Sequence, residues 1–157
     1  MHLKTVSAIA LACAIASLLP GCSTGPKKVV NPPRASIQQL QVRTDGQWQL
    51  SVRLQNFSNI PTTFTAMQAQ LTVGGQDAGA LDISPNIRIG PESADVVQAS
   101  LRPALGAKLA IASALAAGQS ERYSLKGTIT TVEPKGSYPF VFDSSLNPAP
   151  GLPGVMR

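Results

Sequence analysis

Few side chains in this sequence could carry chemistry, and they fall into four small groups. The thiols are Cys13 and Cys22, and His2 is the single imidazole. Ser124 and Lys126 stand two apart, the spacing of one strand face, where a lysine amine could accept the proton of a serine hydroxyl in an acyl-transfer dyad. Glu92 with Asp95, and Asp77 with Asp82, could offer carboxylate oxygens to a calcium ion. Asn56-Phe57-Ser58 matches the triplet that accepts an N-linked glycan.

The elements that would position these groups weaken each reading. Ser124 and Lys126 alternate with Tyr123 and Leu125, so they belong on the solvent face of a strand. A lysine base needs desolvation to lower its pKa, and that face denies it. Neither carboxylate pair has the dense oxygen spacing of a calcium loop, and surface turns commonly carry such residues. No metal and no cofactor are therefore expected.

The remaining candidates lie at the N-terminus. His2 and Lys4 form a short basic region, and Val6 to Leu19 is an unbroken run of small apolar residues, the form of a secretion signal. The run is shorter than the roughly 20 apolar residues of a membrane-spanning helix. Leu19-Pro20-Gly21-Cys22 resembles the lipobox of bacterial lipoproteins, although Pro20 stands where Ala, Ser, Thr or Val is usual. The resemblance implies cleavage between Gly21 and Cys22, diacylglycerol on the Cys22 sulfur and a third acyl chain on its new amine. An ordinary signal cleaved nearby, leaving Cys22 free, is the alternative. Residues 1–21 are thus read as a signal peptide and 22–34 as a lipidated flexible linker, whose Lys27, Lys28 and Arg34 are read first as incidental charge on a solvated tether, with contact to anionic headgroups as the alternative. Ser23 after the cysteine, where an Asp would retain many lipoproteins in the inner membrane, points to the periplasmic face of the outer membrane. The inner membrane and the cell surface are the alternatives. In a bacterium the glycan triplet means little.

Cleavage removes His2 and Cys13, and lipid occupies Cys22. The mature domain then has no histidine and no free thiol, which excludes a Ser-His-Asp triad, a Cys-His dyad, the common zinc sites and any internal disulfide. The expectation is a protein that is not an enzyme. Loss of Lys4 leaves 12 basic against 8 acidic residues, dispersed and without aromatic interleaving, so no nucleic-acid partner is expected.

The rest of the chain reads as one domain. With 43% apolar and only 13% charged residues, it can bury a core, and 13 glycines and 13 prolines supply turns. Trp48, Leu50, Val52 and Leu54 alternate with Gln49, Ser51, Arg53 and Gln55, the pattern of a strand with one buried face. Asp45-Gly46 before it signals a hairpin from the strand at Ile37 to Arg43. Thr62 to Val73 alternates likewise and is followed by a turn over Gly74 to Gly79 and a short partner, Ala80 to Ile83. Ile87 and Ile89 precede the breaker Gly90-Pro91, and Val97, Ala99 and Leu101 alternate after it. Tyr123 to Ile129 and Tyr138 to Phe142 close the series, their aromatics at core spacing and Pro139 assigning the last to a sheet edge. Pro103 to Gly118 reads as one short helix with Leu105, Leu109, Ala112 and Ala116 on its inner face, covering an end or edge. One sheet cannot bury so many faces, so the fold class is all-β: two antiparallel sheets in a sandwich with one helix. Residues 145–157, rich in Pro and Gly, read as a loose tail.

Taken in order, Trp48 to Gln55, the turn Asn56-Phe57-Ser58-Asn59-Ile60-Pro61, the long strand ending at Gly75 and Gly79, and Ile89-Gly90-Pro91 resemble the water stress and hypersensitive response (WHy) domain of the type 2 late embryogenesis abundant (LEA) proteins. The likeness covers about residues 35–144. Asn56, Asn59 and Pro61 fall in the family's turn motif, while Phe57 occupies the place of its usual proline. The resemblance implies an immunoglobulin- or fibronectin-type sandwich with a helix, and a non-enzymatic role in desiccation or stress protection. The second reading is a periplasmic adaptor that binds an envelope protein by strand addition or through its loops.

Overall fold

A computed structural model describes Gly25 and residues 27–157. The signal peptide and the lipobox residues Leu19, Pro20, Gly21 and Cys22 lie outside the described residues. The chain forms β1 (Arg34–Val42), β2 (Trp48–Gln55), β3 (Thr62–Val73), β4 (Gln76–Ile83), β5 (Ile87–Ile89), β6 (Ala94–Leu101), α1 (Leu105–Ala117), β7 (Glu121–Glu133), β8 (Lys135–Leu146) and β9 (Val155–Met156). Two antiparallel sheets stack face to face: β6-β2-β1-β9, and β4-β3-β7-β8 with β5 paired to the start of β3. The expected all-β sandwich with one helix is the observed architecture.

Alternation dictates the core. Trp48, Leu50, Val52 and Leu54 of β2 are buried and face Phe64, Met67, Leu71 and Val73 of β3 and Leu125 and Ile129 of β7 across the sandwich. Each such side chain removed from water contributes about 1.5 to 3 kcal/mol, so these rows set the register. A polar pin joins the layers: the Tyr123 hydroxyl accepts from the Ile37 N–H at 3.1 Å and lies 3.3 Å from the Ile37 carbonyl oxygen. Burial raises the Tyr123 pKa above its ordinary value, opposed by the bonds to Ile37 and Ser144.

Turns follow their residues. Gly46 takes positive φ at the Asp45-Gly46 corner between β1 and β2. The β3–β4 hairpin turns on Gly74 and Gly75 alone, at φ 58° and 73°, the mirror-image geometry that matches strand twist. Gly79, read as part of that turn, instead lies within β4 opposite Leu71, where Ala78 bulges from the ladder. In the middle of β7, Gly127 lies so close to β3 that a Cβ there would stand 2.0 Å from the Gln68 carbonyl oxygen.

Three expectations are corrected, and a fourth holds in part. The inner face of α1 is Ala107, Ile111 and Ala114, while Leu105 and Leu109 are 71% and 62% exposed. The helix is apolar nearly all round, so periodicity cannot choose its face. Contact with the β3–β4 hairpin chooses instead, since a Cβ on Gly74 would reach Ala110 Cβ at 2.9 Å and only small side chains fit there. Its C-terminus is closed as expected by Gly118 at φ 64°, with Gly118 and Gln119 N–H groups donating to Leu115 and Ala114 carbonyls. The tail is not loose: β9 pairs with Leu40 and Gln41 of β1, Met156 is fully buried, and Asn147 and Arg157 exchange backbone hydrogen bonds. Residues 27–33, assigned to the flexible linker, are fastened to the β2–β3 turn. On β8, Phe140 and Phe142 pack against the core as expected but are only half-buried, as is Tyr138, because an edge strand is covered on one side only. Pro139 sits on that edge as expected.

Candidate functional site

The polar turn between β2 and β3 concentrates the side-chain hydrogen bonding of the molecule. Asn56 leaves β2 buried, and its amide is fully used. Nδ2 donates to the carbonyls of Ile60 and Gly90 at 2.8 Å each and approaches that of Ile89 at 3.3 Å. Oδ1 accepts from the Ser58 N–H at 2.9 Å and from the Thr62 hydroxyl at 3.2 Å. Backbone bonds from Asn56 N–H to Ser93 and from Glu92 N–H to Ser58 complete the link between the β2–β3 and β5–β6 connections. A buried amide with every group paired costs nothing in desolvation and holds three backbone segments in one arrangement.

Asn59 faces the other way, into the segment before β1. Its Oδ1 accepts the Val29 N–H at 2.7 Å, its Nδ2 donates to the Lys27 carbonyl at 2.8 Å, and its own N–H donates to the Val29 carbonyl at 3.2 Å. The side chain thus imitates a paired strand residue. Ser58 Oγ accepts from the Asn31 N–H at 3.0 Å, and Asn31 Nδ2 donates to the Phe57 carbonyl at 2.8 Å. Residues 27–33 become a strap, with Pro33 buried at its end. Arg34 then lies with its guanidinium 5.4 Å from the Phe57 ring centre and 5.7 Å from that of Phe142. Phe57 thereby gains a cation contact.

The structure brings Asn56 and Asn59 into one turn with opposite duties, one inward and one toward the strap, and Pro61 lies half-buried just before β3. Sequence reasoning missed Ser58 and Asn31. Their signal was the density of amides and hydroxyls between two apolar strands, residue types that bond backbone where no ladder can.

The other candidates are not assembled. Ser124 is half-buried and Lys126 exposed on the outer face of β7. Asp77 accepts from the Gly79 N–H at 2.9 Å and from Gln70 Nε2, while Asp95 accepts from the Val96 N–H at 2.7 Å. These carboxylates serve local backbone. Among the described residues there is no group of three His, Cys, Asp or Glu side chains able to hold a metal, and no helix long and apolar enough to cross a membrane.

The outer face of the first sheet carries a patch of uncharged polar side chains beside the exposed Arg53 and Val96. Gln98 Oε1 accepts from Ser51 Oγ at 3.3 Å and from Gln49 Nε2 at 3.4 Å, and Ser100 Oγ donates to Gln49 Oε1 at 3.1 Å. On the opposite sheet β8 presents a 12-residue edge with Val141 58% exposed.

No family profile matches the chain, and no curated protein matches it. Solved structures do resemble it in shape. A protein from Archaeoglobus fulgidus is 16% identical over 77% of this chain and 98% of its own, with a TM-score of 0.42. AT1g01470 from Arabidopsis thaliana, an LEA-like protein, is 12% identical over 79% of this chain and 83% of its own, with a TM-score of 0.47. The structural-genomics target SoR45 is 10% identical over 78% and 90%, with a TM-score of 0.42. At these identities and scores the likeness carries no inference about function.

Proposed function

We propose that this chain is a non-enzymatic, lipid-anchored β-sandwich of the bacterial envelope, attached through Cys22 to the periplasmic face of the outer membrane and acting in protection against drying or related stress. The observation that carries this reading is the first sheet's outer face. There, beside Arg53, the side chains of Gln49, Ser51, Gln98 and Ser100 form a patch of neutral donors and acceptors that bond one another when nothing else is offered. Such groups can exchange partners with a drying lipid or protein surface without leaving a charge uncompensated. Survival and membrane leakage after drying and rehydration would be compared for cells carrying wild-type protein, Cys22→Ala or no gene. Loss of survival in the null, restored by the lipidated form alone, supports the reading; equal survival in all three overturns it.

A second reading rests on β8. A long edge strand with an exposed Val141 and half-buried aromatics is a template for pairing with an extended segment of an envelope protein. Stoichiometric capture of one envelope protein, lost on substituting Val141 by Lys, would favour the adaptor.

A further inference from the structure

We infer that the strap fixes the orientation of the domain on its membrane: residues 27–34 and the Asn56–Pro61 turn rest on an anionic phospholipid surface, and α1 faces away from it. This rests on the anchored reading of Cys22. Only Ser23 to Pro26 separate Cys22 from Lys27, so the lipid-bearing Cα stands within roughly 18 Å of the strap even when fully extended. Without the bonds of Asn59, Ser58 and Asn31, the free length would run to Arg34 and more than double.

The strap carries what such a surface recognises. Lys27, Lys28 and Arg34 are exposed cations, and Val29 and Val30, 43% and 44% exposed, can enter the headgroup layer between them. Glu92, whose N–H bonds Ser58, and Asp95, opposite Leu54, are the carboxylates beside this turn, while Glu133, opposite Thr63, is paired with Arg88. Each cation close to an anionic surface raises its occupancy about fivefold, so three outweigh these two. The distal end is placed by the strands. From Gln55 at the turn to Trp48, seven steps of β2 cover roughly 23 Å. Beyond Trp48 lie the Asp45-Gly46 corner and α1, with Lys108 Nζ 3.6 Å from where a Gly46 Cβ would stand. The apolar outer side of α1 is thereby turned from the lipid it would otherwise enter.

The test uses the mature chain from Cys22 to Arg157, which holds every core residue, since these lie between Ala35 and Met156. Its one thiol is coupled to a maleimide phospholipid in vesicles of phosphatidylcholine with or without phosphatidylglycerol. Amide hydrogen exchange is compared with that of the uncoupled protein. On anionic vesicles, exchange over residues 27–33 and 56–61 should slow at least about fivefold, while residues 105–117 stay unchanged. The slowing should vanish on neutral vesicles and in Lys27→Glu/Lys28→Glu, and weaken in Asn59→Ala, whose exposed side chain can be removed without opening the core. Slowing over 105–117, or equal exchange everywhere, overturns the orientation. Because the coupling is chemical, the result is independent of cellular lipidation, which the mass of the mature protein from membranes reports separately. A mature chain without acyl groups would overturn the anchored reading and, with it, the inference for the cell.

Discussion

Asn56→Ala should be the costliest polar substitution in the molecule. The methyl group would abolish four hydrogen bonds of 3.2 Å or less. Two of the abandoned partners, the Ser58 N–H and the Thr62 hydroxyl, belong to buried residues, and each would bear a desolvation penalty of about 1 to 3 kcal/mol. The carbonyls of Ile60 and Gly90 belong to half-buried residues, where water can replace the amide at small cost. The sum is roughly 2 to 6 kcal/mol, against a total stability on the order of 5 to 15 for a domain of this kind. With a urea m-value near 2 kcal/mol/M, the unfolding midpoint should fall by about 1 to 3 M at unchanged m. Asn56→Asp adds a sign. A carboxylate facing three carbonyl oxygens is repelled, so its folded pKa rises above the ordinary value of about 3.9. The folded state then binds more protons than the unfolded one, and this variant loses stability as pH rises from 4 toward 7. A midpoint shift below about 0.5 M for Asn56→Ala, or an Asn56→Asp variant that gains stability over that range, would refute the assignment of the amide as a buried, fully used hub.

Three further outcomes follow from the packing. Gly127→Ala places a Cβ 2.0 Å from the Gln68 carbonyl and 2.6 Å from Ala69 Cβ, so it should cost more than about 2 kcal/mol or prevent folding, read by circular dichroism and urea titration. Ile111→Ala should lose about 2 to 4 kcal/mol while Leu109→Ser changes stability by less than about 0.5, a contrast that thermal unfolding would reverse if the leucines packed inward. Tyr123, with its folded pKa raised by burial, should contribute stability fully present below pH 10 and lost as pH rises through the folded value, and Tyr123→Phe should remove that alkaline loss; ultraviolet difference titration and unfolding at pH 9 and 11 check it.

The strands were legible where one face is buried and the other wet. Trp48 to Gln55 and Met67 to Val73 alternate over enough residues that burial leaves no second register, while the phase slips by one at Ala66, where the pairing with β7 is irregular. The face of α1 was not legible, because Ala and Leu occupy nearly every side and the deciding contact, Gly74 against Ala110, lies in a distant hairpin. The strap was hidden for a similar reason: what orders Val29 is an amide 30 residues later, and Pro, Lys and Val alone read as a tether. The tail misled through composition. Its prolines and glycines do make turns, but they return Val155 and Met156 to an open edge of β1, and two residues are too few to show a period. The division of the turn into an inward Asn56 and an outward Asn59 was not legible, because both are the same residue type and their partners lie up to 34 residues away.

The pairing of β9 with β1 sets a timetable for the growing chain. A polypeptide made N-terminus first exposes β1 early, with β2 available to one side soon after. The other side of β1 has no neighbour until Val155 and Met156 emerge, and until then Leu40 lacks its opposite residue. The first sheet is therefore incomplete until β9 has been made, its open edge a place where a chaperone can hold the chain or a second chain can insert wrongly. Completion comes with Gly154 to Arg157 and is reported by the Val42 N–H donating to the Gly154 carbonyl at 2.8 Å and Arg157 Nε donating to Gln39 at 2.9 Å.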